Sequence, residues 1–366
     1  MKKIGVLYGG MSGEHAVSLC SAAAVISNLD STKYDIIPIG IDRDGTWHVQ
    51  KNINIIEDEE FGTIVELKQT GNWLVNHFQS NNKLILFDKV SGKEVDIDIV
   101  FPVVHGTFCE DGTLQGLLEL AMVPYVGADV LGSSIAMDKD VAKRLFKEAG
   151  IPVVPWITVT KEQWSLDKEK VVSESDSHFD YPIFIKPCNM GSSVGVKKVD
   201  SLDELEEAID FAFQFDIKII IEQGITAREI ECAVLGNGNP KASILGEINP
   251  NAGFYSYEAK YLDSNGAKLE IPANIDETLK TEFQEMAIKG YQAIACSGMA
   301  RVDFFLDKNS SNIYLNEINT LPGFTSISMY PKLWEASGLL YSKLLDELIG
   351  FALERHEQKL LIKREM

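Results

Sequence analysis

The sequence lacks the features that mark membrane, secreted and repeat proteins. No apolar run approaches the roughly 18 residues that a membrane-spanning helix needs. The chain starts MKKIGVLYGG, and its short apolar stretch leads into glycines and an acid instead of a small-residue cleavage site. We therefore interpret this stretch as a first β-strand in a cytoplasmic protein with no membrane partner. Neither an internal repeat nor a low-complexity tract occurs.

Cysteine and basic residues are also scarce. The five cysteines are scattered, odd in number and never spaced as CxxC, which argues against a disulfide framework and against a zinc site. The chain has 34 Lys and Arg against 54 Asp and Glu, a formal net charge of −20. Nonspecific nucleic-acid binding needs clustered Lys and Arg, so we expect no nucleic-acid partner. A small anionic ligand stays compatible with this charge, because local groups can reverse the field inside a cleft.

What is present predicts a soluble globular protein of two or three lobes, since 366 residues exceed one ordinary core and 45% of them are hydrophobic. The first third alternates strands with helices, a doubly wound α/β pattern. The predicted elements are the strands Lys3–Tyr8, Asp35–Ile41 and Asp96–Val104 and the helices His15–Asn28 and Leu114–Met122. Within 50–95, we expect Trp73, His77 and Phe78 in a helix and Lys83–Phe87 in a strand, with no function assigned.

A helix over Asp138–Ala149 ends at Gly150 and marks a boundary. Beyond it the pattern favours β-hairpins and helices: Pro182–Pro187, Val194–Val199, the helix Leu202–Phe213, and Lys218–Glu222. The last third predicts the strands Ala300–Leu306 and Ile313–Glu317. It closes with a C-terminal helix whose apolar stripe (Leu340, Leu344, Leu348, Phe351) indicates core packing.

The first glycine-rich turn, which ends in Ser12-Gly13-Glu14-His15, has two interpretations. A glycine turn between strand and helix suggests dinucleotide binding, with Asp42 as the ribose acid. However, the match to G-x-G-x-x-G is poor, and the Glu14 carboxylate at a helix N-terminus favours a cation such as an amino group. The plainer alternative is capping of the helix by Ser12, with Glu14 compensating the helix dipole.

Three further segments point to phosphate chemistry. Lys186 precedes a glycine- and serine-rich loop between two strands, a hairpin that can fold backbone N–H groups over phosphates. Arg301 and Asp303 share one face of a strand, and Glu317 and Asn319 end the next, so an antiparallel pair brings three hard oxygen ligands together, as Mg²⁺ prefers. The stretch Asn249–Ile275 lacks clear secondary structure but carries Tyr255, Tyr257, Lys260 and Tyr261, which favours an active-site lid.

Together these segments resemble the D-alanine–D-alanine ligase family of the ATP-grasp class. Nine motifs carry the resemblance over nearly the whole chain: GGMSGEHAVSLCSA, HGTFCEDGTLQG, PYVG, MDKDVAK, KPCNMGSSVGV, EQGITAREIECAVLG, YEAKYL, ARVDFF and NEINTLPGFTSISMYP. Cys109 departs from the family's HGTxGEDG pattern, which has glycine there. The resemblance implies three lobes in a homodimer. They are an N-terminal α/β lobe (1–127) and two α+β ATP-grasp lobes (128–236 and 237–366) that hold ATP between them.

The resemblance also implies roles for individual residues. Glu14 binds the amino group of the first D-alanine and is linked to Ser192 and Tyr261, with His105 near the substrates. The residues implied for ATP are Lys139, Lys186, Ser193, Glu222, Ile225, Glu229 and Lys260. Two magnesium ions, replaceable by manganese, are held by Asp303, Glu317 and Asn319. Arg301, Gly323 and Ser328 bind the second D-alanine and the developing oxyanion.

The implied reaction is phosphoryl transfer to the first D-alanine, followed by attack of the second amine on the acylphosphate, for peptidoglycan precursor synthesis. One alternative is a ligase of the same class that makes D-alanyl-D-lactate or D-alanyl-D-serine, although Tyr261 resembles the branch of the family that forms the D-alanine dipeptide. The other is an NAD-dependent dehydrogenase, which the first turn suggests.

Overall fold

The computed structural model describes residues 1–76, 82–250 and 267–363. Its first part begins with β1 (Lys2–Gly9), α1 (His15–Asn28), β2 (Tyr34–Ile41), β3 (Trp47–Val49), β4 (Ile55–Asp58) and β5 (Gly62–Val65). It continues with β6 (Trp73–Asn76), β7 (Leu84–Asp88), β8 (Glu94–Ile97), β9 (Ile99–Pro102), α2 (Thr113–Leu120), α3 (Val130–Met137) and α4 (Lys139–Glu148). Seven strands form one sheet in the order β8-β7-β6-β3-β2-β1-β9, while β4 and β5 pair separately. β1 is parallel to both β2 and β9, the predicted doubly wound centre.

Two predictions in this part are wrong. The single strand Asp96–Val104 is two strands that break at Asp98, whose carboxylate accepts the backbone N–H of Lys3 at 2.8 Å. β9 then runs beside β1, whereas β8 pairs antiparallel with β7 at the far edge. Trp73 begins a strand and not a helix, because the segment extends the sheet as antiparallel hairpins. His77 and Phe78 lie outside the described residues.

A second, four-stranded sheet follows in the chain. Its elements are β10 (Trp156–Thr160), α5 (Lys161–Leu166), α6 (Lys168–His178), β11 (Ile183–Pro187), β12 (Lys197–Val199), a 3₁₀ turn (Leu202–Glu204), α7 (Leu205–Ala212) and β13 (Lys218–Gln223). The strand order is β10-β13-β11-β12. Because side chains alternate along a strand, Ile185 and Ile221 join the core that includes α7 residues. Lys186 and Glu222 therefore share the opposite face.

A third sheet has five strands in the order β16-β15-β14-β17-β18. Its elements are β14 (Ala227–Gly236), β15 (Lys241–Pro250), β16 (Ala267–Glu270), α8 (Glu277–Ala293), β17 (Gly298–Asp307), β18 (Ile313–Asn319), α9 (Met329–Ala336) and α10 (Tyr341–Leu360). The expectation that Asn249–Ile275 lacks secondary structure is wrong at both ends, since Asn249 pairs with Lys268 of β16. Residues 251–266 lie outside the described part.

The hydrophobic cores link the first and third sheets. One core combines Val6 of β1 and Ala22 of α1 with Phe324 and with Leu344 of α10, whereas the four-stranded sheet has a core of its own. Leu348 is also buried and Phe351 packs against the same core, as predicted. Leu340 does not, because it precedes α10 and is 61% exposed.

The buried Arg355 links the C-terminal helix α10 to the segment that follows α2. Its guanidinium donates to the main-chain carbonyls of Gly127 and, at 2.8 Å, of Tyr125, and to the hydroxyl of Ser297 at 2.8 Å. The ring of Tyr125 lies 4.6 Å from the same guanidinium. A cation in the interior is thus matched by carbonyl and aromatic partners.

The lobe boundaries 1–127, 128–236 and 237–366 stay a prediction. β14, which they assign to the central lobe, pairs with β15 and β17 in the third sheet. In the parts of the chain that the structure describes, no helix combines the length and the apolar character needed to cross a bilayer.

Candidate active site

The turn after β1 places Glu14 at the start of α1. Gly9 has φ +89°, and a Cβ there would lie 2.1 Å from the carbonyl oxygen of Ile41, so this position requires glycine. The Ser12 hydroxyl donates to the carbonyl of His105 at 2.6 Å and accepts the N–H of Glu14 at 3.2 Å. Glu14 holds the N-cap position of α1 without a side-chain capping bond, so the expected capping by Ser12 is limited to the N–H of Glu14, one residue before the helix. The serine instead joins the first turn to the loop after β9.

The glycine–serine loop meets Glu14 from the other side. The Ser192 hydroxyl donates to a Glu14 carboxylate oxygen, which is the predicted contact between these two residues. Ser192 and Ser193 have φ values of +51° and +60°, a conformation unusual for residues other than glycine and frequent where a loop is held for function. Lys139 donates to the carbonyl of Met190 at 2.7 Å and so holds the same loop from α4.

His105 follows the strand β9 and is buried, so its side chain does not reach solvent. Its ring is buried, with Nε2 at 3.2 Å from the Ser21 hydroxyl and Nδ1 at 3.1 Å from the carbonyl oxygen of Leu321. Burial lowers the pKa of its imidazole. The ring therefore ties α1 to the segment after β18.

The loop after His105 adds a carboxylate that we did not predict. Glu110 accepts the N–H of Gly106 at 2.8 Å, and burial together with the Glu14 charge raises its pKa well above the usual range. Its position in HGTFCEDG was the available signal. The family's glycine can be replaced by Cys109 because this position does not have a left-handed backbone. The left-handed conformation falls instead on the neighbouring Phe108, at φ +67°.

Two lysines converge on one buried carboxylate of the four-stranded sheet. Glu222 is 2% exposed and contacts the ammonium groups of both Lys143 and Lys186. Burial alone would raise its pKa, but these cations lower it to about 2, so the carboxylate is ionised. Lys186 also lies 5.8 Å from the ring of Phe305 on β17, which places it between the second and third sheets. Lys143 was missed, and its only signal was its spacing of four from Lys139 along a helix.

The third sheet carries the predicted polar face. Asp303 lies opposite Glu317, and Arg301 lies opposite Asn319, as expected for antiparallel strands. Arg301 donates to both oxygens of Asp303, at 2.8 and 2.7 Å, and Asn319 donates to Asp303 at 2.9 Å. Lys139 Nζ lies 3.7 Å from a Glu317 oxygen, so α4 reaches this face too.

A second carboxylate, also missed from the sequence, holds Arg301. Glu231 of β14 lies opposite Asp303 and places an oxygen 3.1 Å from Arg301 Nε. Burial would lower the pKa of Arg301, yet Asp303 and Glu231 raise it well above its usual value. The guanidinium is thus a permanent cation between two anions.

The donor set on this face suits a hard cation. Asp303 and Glu317 offer carboxylate oxygens and Asn319 an amide oxygen, and Mg²⁺ usually takes one or two carboxylates plus water and phosphate oxygens. Across residues 1–76, 82–250 and 267–363, no three His, Cys, Asp or Glu side chains are arranged to hold a metal by themselves. Water and phosphate oxygens would complete the coordination of an ion held here.

The remaining predicted residues lie on the strands of the third sheet or in the segments that adjoin it. Gly323 adjoins Ser328, since a Cβ on the glycine would lie 2.8 Å from the serine hydroxyl. Glu229 lies opposite Phe305, and Ile225 lies between β13 and β14. Lys260 and Tyr261 lie outside the described residues.

The dinucleotide interpretation of the first turn is wrong. Asp42 accepts the N–H groups of Asp44 and Thr46, at 3.0 and 2.9 Å, and its other oxygen lies 3.0 Å from His48 Nε2. It therefore shapes its own turn and is not held ready for a ribose.

The chain matches two family models, described as "D-ala D-ala ligase N-terminus" over residues 3–128 and "D-ala D-ala ligase C-terminus" over residues 145–350. It is 47% identical to D-alanine–D-alanine ligase A of Bradyrhizobium diazoefficiens, with 99% of this chain and 98% of the relative covered. It is 45% identical to D-alanine–D-alanine ligase A of Escherichia coli, with 100% and 99% covered.

Solved structures agree with these relatives. The VanG D-Ala:D-Ser ligase from Enterococcus faecalis aligns with a TM-score of 0.82 at 40% identity, over 96% of this chain and 99% of that one. The D-alanine–D-alanine ligase from Coxiella burnetii aligns with a TM-score of 0.80 at 36% identity, over 98% and 97%. The fold, the polar face of the third sheet and these matches together establish that the chain belongs to the D-alanine–D-alanine ligase family, with the ATP-grasp fold of that family.

Proposed function

We propose that this chain joins two D-alanine molecules into D-alanyl-D-alanine, with ATP converted to ADP and phosphate, for peptidoglycan precursor synthesis. The observation that carries the proposal is the contact between Ser192 and Glu14. It brings an ammonium-binding carboxylate to the tip of a phosphate-binding hairpin, which a ligase that activates an amino acid requires. The relatives that bear this activity in their names are 45–48% identical to the chain over its full length.

The first step is phosphorylation of the first D-alanine on its carboxylate. Glu14 holds the amino group of this substrate, and Lys186 and Lys139 neutralise charge as the γ-phosphoryl group moves. Ser193 and Lys260 complete the phosphate contacts, while Glu222, Ile225 and Glu229 hold the adenosine part. When bound, Mg²⁺ supplies electrophilic stabilisation of the phosphate oxygens and would be held by Asp303, Glu317 and Asn319.

The second step forms the peptide bond. The amine of the second D-alanine attacks the carbonyl carbon of the acylphosphate, and phosphate leaves. Arg301 and the backbone at Gly323 stabilise the oxyanion, a contribution of about 3 kcal/mol for one well-placed donor. Ser328 orients the second substrate, and Tyr261 and His105 complete the surroundings of the substrates.

The test is phosphate release by the purified protein with ATP and Mg²⁺, screened against D- and L-amino acids, with the product identified by mass. D-Alanine alone should support turnover and give D-alanyl-D-alanine. Turnover only with added D-serine or D-lactate would favour the alternative, for which the 40% identity to a D-Ala:D-Ser ligase is the specific observation. Activity with L-alanine at the same rate would refute the stereochemical assignment.

We further propose that the enzyme acts as a cytoplasmic homodimer, with Mn²⁺ able to replace Mg²⁺. The family resemblance implies the dimer, and Leu120 of α2 and Leu131 of α3 are apolar side chains, 69% and 56% exposed, that such a contact could cover. Light scattering should give twice the 40.6 kDa chain mass. A mass of one chain at micromolar concentration would contradict the dimer.

A further inference from the structure

Lys143 is a buried lysine to which the proposed reaction assigns no task. It projects from α4, its side chain is 2% exposed, and its ammonium contacts the equally buried carboxylate of Glu222 on β13. The same ammonium lies 3.4 Å from the carbonyl oxygen of Val154 and 5.5 Å from the ring of Trp156. A buried charge is costly, and an apolar side chain of similar volume often replaces a buried ion pair without loss of stability.

The charges around Glu222 do not balance. One carboxylate contacts two ammonium groups, so the cluster carries a net charge of +1. The two cations differ in access, because Lys186 is 13% exposed and lies beside Phe305 in the gap between the second and third sheets, whereas Lys143 faces the interior. The surplus positive charge is therefore available to a ligand at Lys186 and not at Lys143.

We propose that Lys143 is a positioning residue for the nucleotide, which neutralises Glu222 from the buried side and so leaves Lys186 free to bind phosphate. This inference rests on the proposed function. Without Lys143, Glu222 and Lys186 form a neutral one-to-one pair. An incoming phosphate then has to compete with a buried carboxylate for the one ammonium group that this cluster retains.

The test compares ADP with adenosine, because only ADP carries the phosphates that this charge serves. Binding of both is measured by calorimetry for the whole protein and for Lys143→Met, Glu222→Gln, the double variant and Lys147→Met. Lys147 lies one turn further along α4 and is exposed, so it controls for the loss of one positive charge. Lys143→Met should weaken ADP binding about tenfold, as expected for one charge-assisted contact, and leave adenosine binding nearly unchanged.

The double variant separates charge from packing. Glu222 is itself assigned to the adenosine part, so the reference for the double variant is Glu222→Gln alone. Because the carboxylate that competes for Lys186 is already gone there, adding Lys143→Met should change ADP binding by no more than about twofold relative to Glu222→Gln. Lys147→Met should bind ADP normally. If Lys143→Met alone does not fold, the comparison of Glu222→Gln with the double variant decides, because a packing role predicts weaker binding of both ligands in the double variant.

Unchanged ADP binding by Lys143→Met, or an equal loss for adenosine and ADP, would overturn the inference and leave the proposed function standing. Failure of the unchanged protein to bind ADP at all would refute the proposed function and the inference together.

Discussion

Replacement of Glu14 by glutamine tests the first-substrate site most directly. The change keeps the length of the side chain and keeps an oxygen that can accept the Ser192 hydroxyl, so the contact between the first turn and the glycine–serine loop should persist. What is lost is the negative charge at the N-terminus of α1. This charge suits an ammonium group and repels phosphate.

The magnitude follows from the kind of contact that is weakened. A hydrogen bond between an ammonium and a carboxylate becomes one between an ammonium and a neutral amide, a loss of about 1–2 kcal/mol, or roughly 5- to 30-fold in affinity. The Glu14 charge is also one cause of the raised pKa of Glu110. The substitution should therefore lower the pKa of Glu110 as well.

The assay is steady-state phosphate release with D-alanine and ATP varied separately. The KM for D-alanine at the first site should rise by that factor, while the KM for ATP should stay within about twofold, since no contact with phosphate is removed. Asp44→Asn is the matched control, because it removes one exposed carboxylate from the same lobe and should change neither value. Loss of nucleotide affinity with normal D-alanine saturation would show that the first turn binds the nucleotide, and the reasoning would be refuted.

Three further predictions concern metal, pH and stability. Glu317→Ala should abolish turnover at every Mg²⁺ concentration and leave the circular dichroism spectrum unchanged, because it removes one of two carboxylates from the oxygen set. Glu222 is ionised in the folded protein with a pKa of about 2 against a usual 4.5, so it contributes stability above pH 4.5 that is lost as the pH falls towards 2. Between pH 7 and pH 4 the unchanged protein should therefore lose about 1 kcal/mol more than Glu222→Gln in urea unfolding. Arg355→Met should lower the free energy of unfolding by about 3 kcal/mol, since it leaves the carbonyls of Tyr125 and Gly127 without their donor.

Each of these has a control and a contrary outcome. Glu335→Ala removes an exposed acid and should keep full activity, and near-normal turnover in Glu317→Ala would remove the metal assignment. An identical fall in stability with pH for Glu222→Gln and the unchanged protein would contradict the charge assigned to Glu222. Arg43→Met removes an exposed arginine and should unfold nearly as the unchanged protein does, and an equal result for Arg355→Met would contradict the role of Arg355.

The parts of the site that lie on adjacent strands could be predicted from the sequence. Alternation along a strand fixes that Arg301 and Asp303 share a face, and a short connection makes the next strand antiparallel, so Glu317 has to lie near Asp303. The contact of Glu14 with Ser192 spans 178 residues and came only from the family resemblance, because no local pattern brings two distant loops together.

Other features depend on packing between elements, which a single sequence does not encode locally. Lys143 is one of several lysines on α4, and only the orientation of that helix against β13 decides that it meets Glu222. The break at Asp98 was missed because the flanking residues of β8 and β9 are both apolar at the join, so the run looks continuous. The apolar residues next to Trp73 in the sequence fit a helix as well as a strand. The segment is a strand because it pairs with β7.

The anchoring of Arg355 has a consequence for the order in which the protein is made. The carbonyls that it binds belong to residues synthesised 228 and 230 positions earlier, at the point where the first α/β part passes into α3. Domains made early in synthesis can begin to fold before the rest of the chain exists. Here the first part shares its hydrophobic core with α9 and α10. While the ribosome is still translating the middle of the chain, the first part therefore exposes the apolar surface that these two helices later bury. Nascent chains that stall before α10 should therefore need a chaperone, whereas completed chains should not.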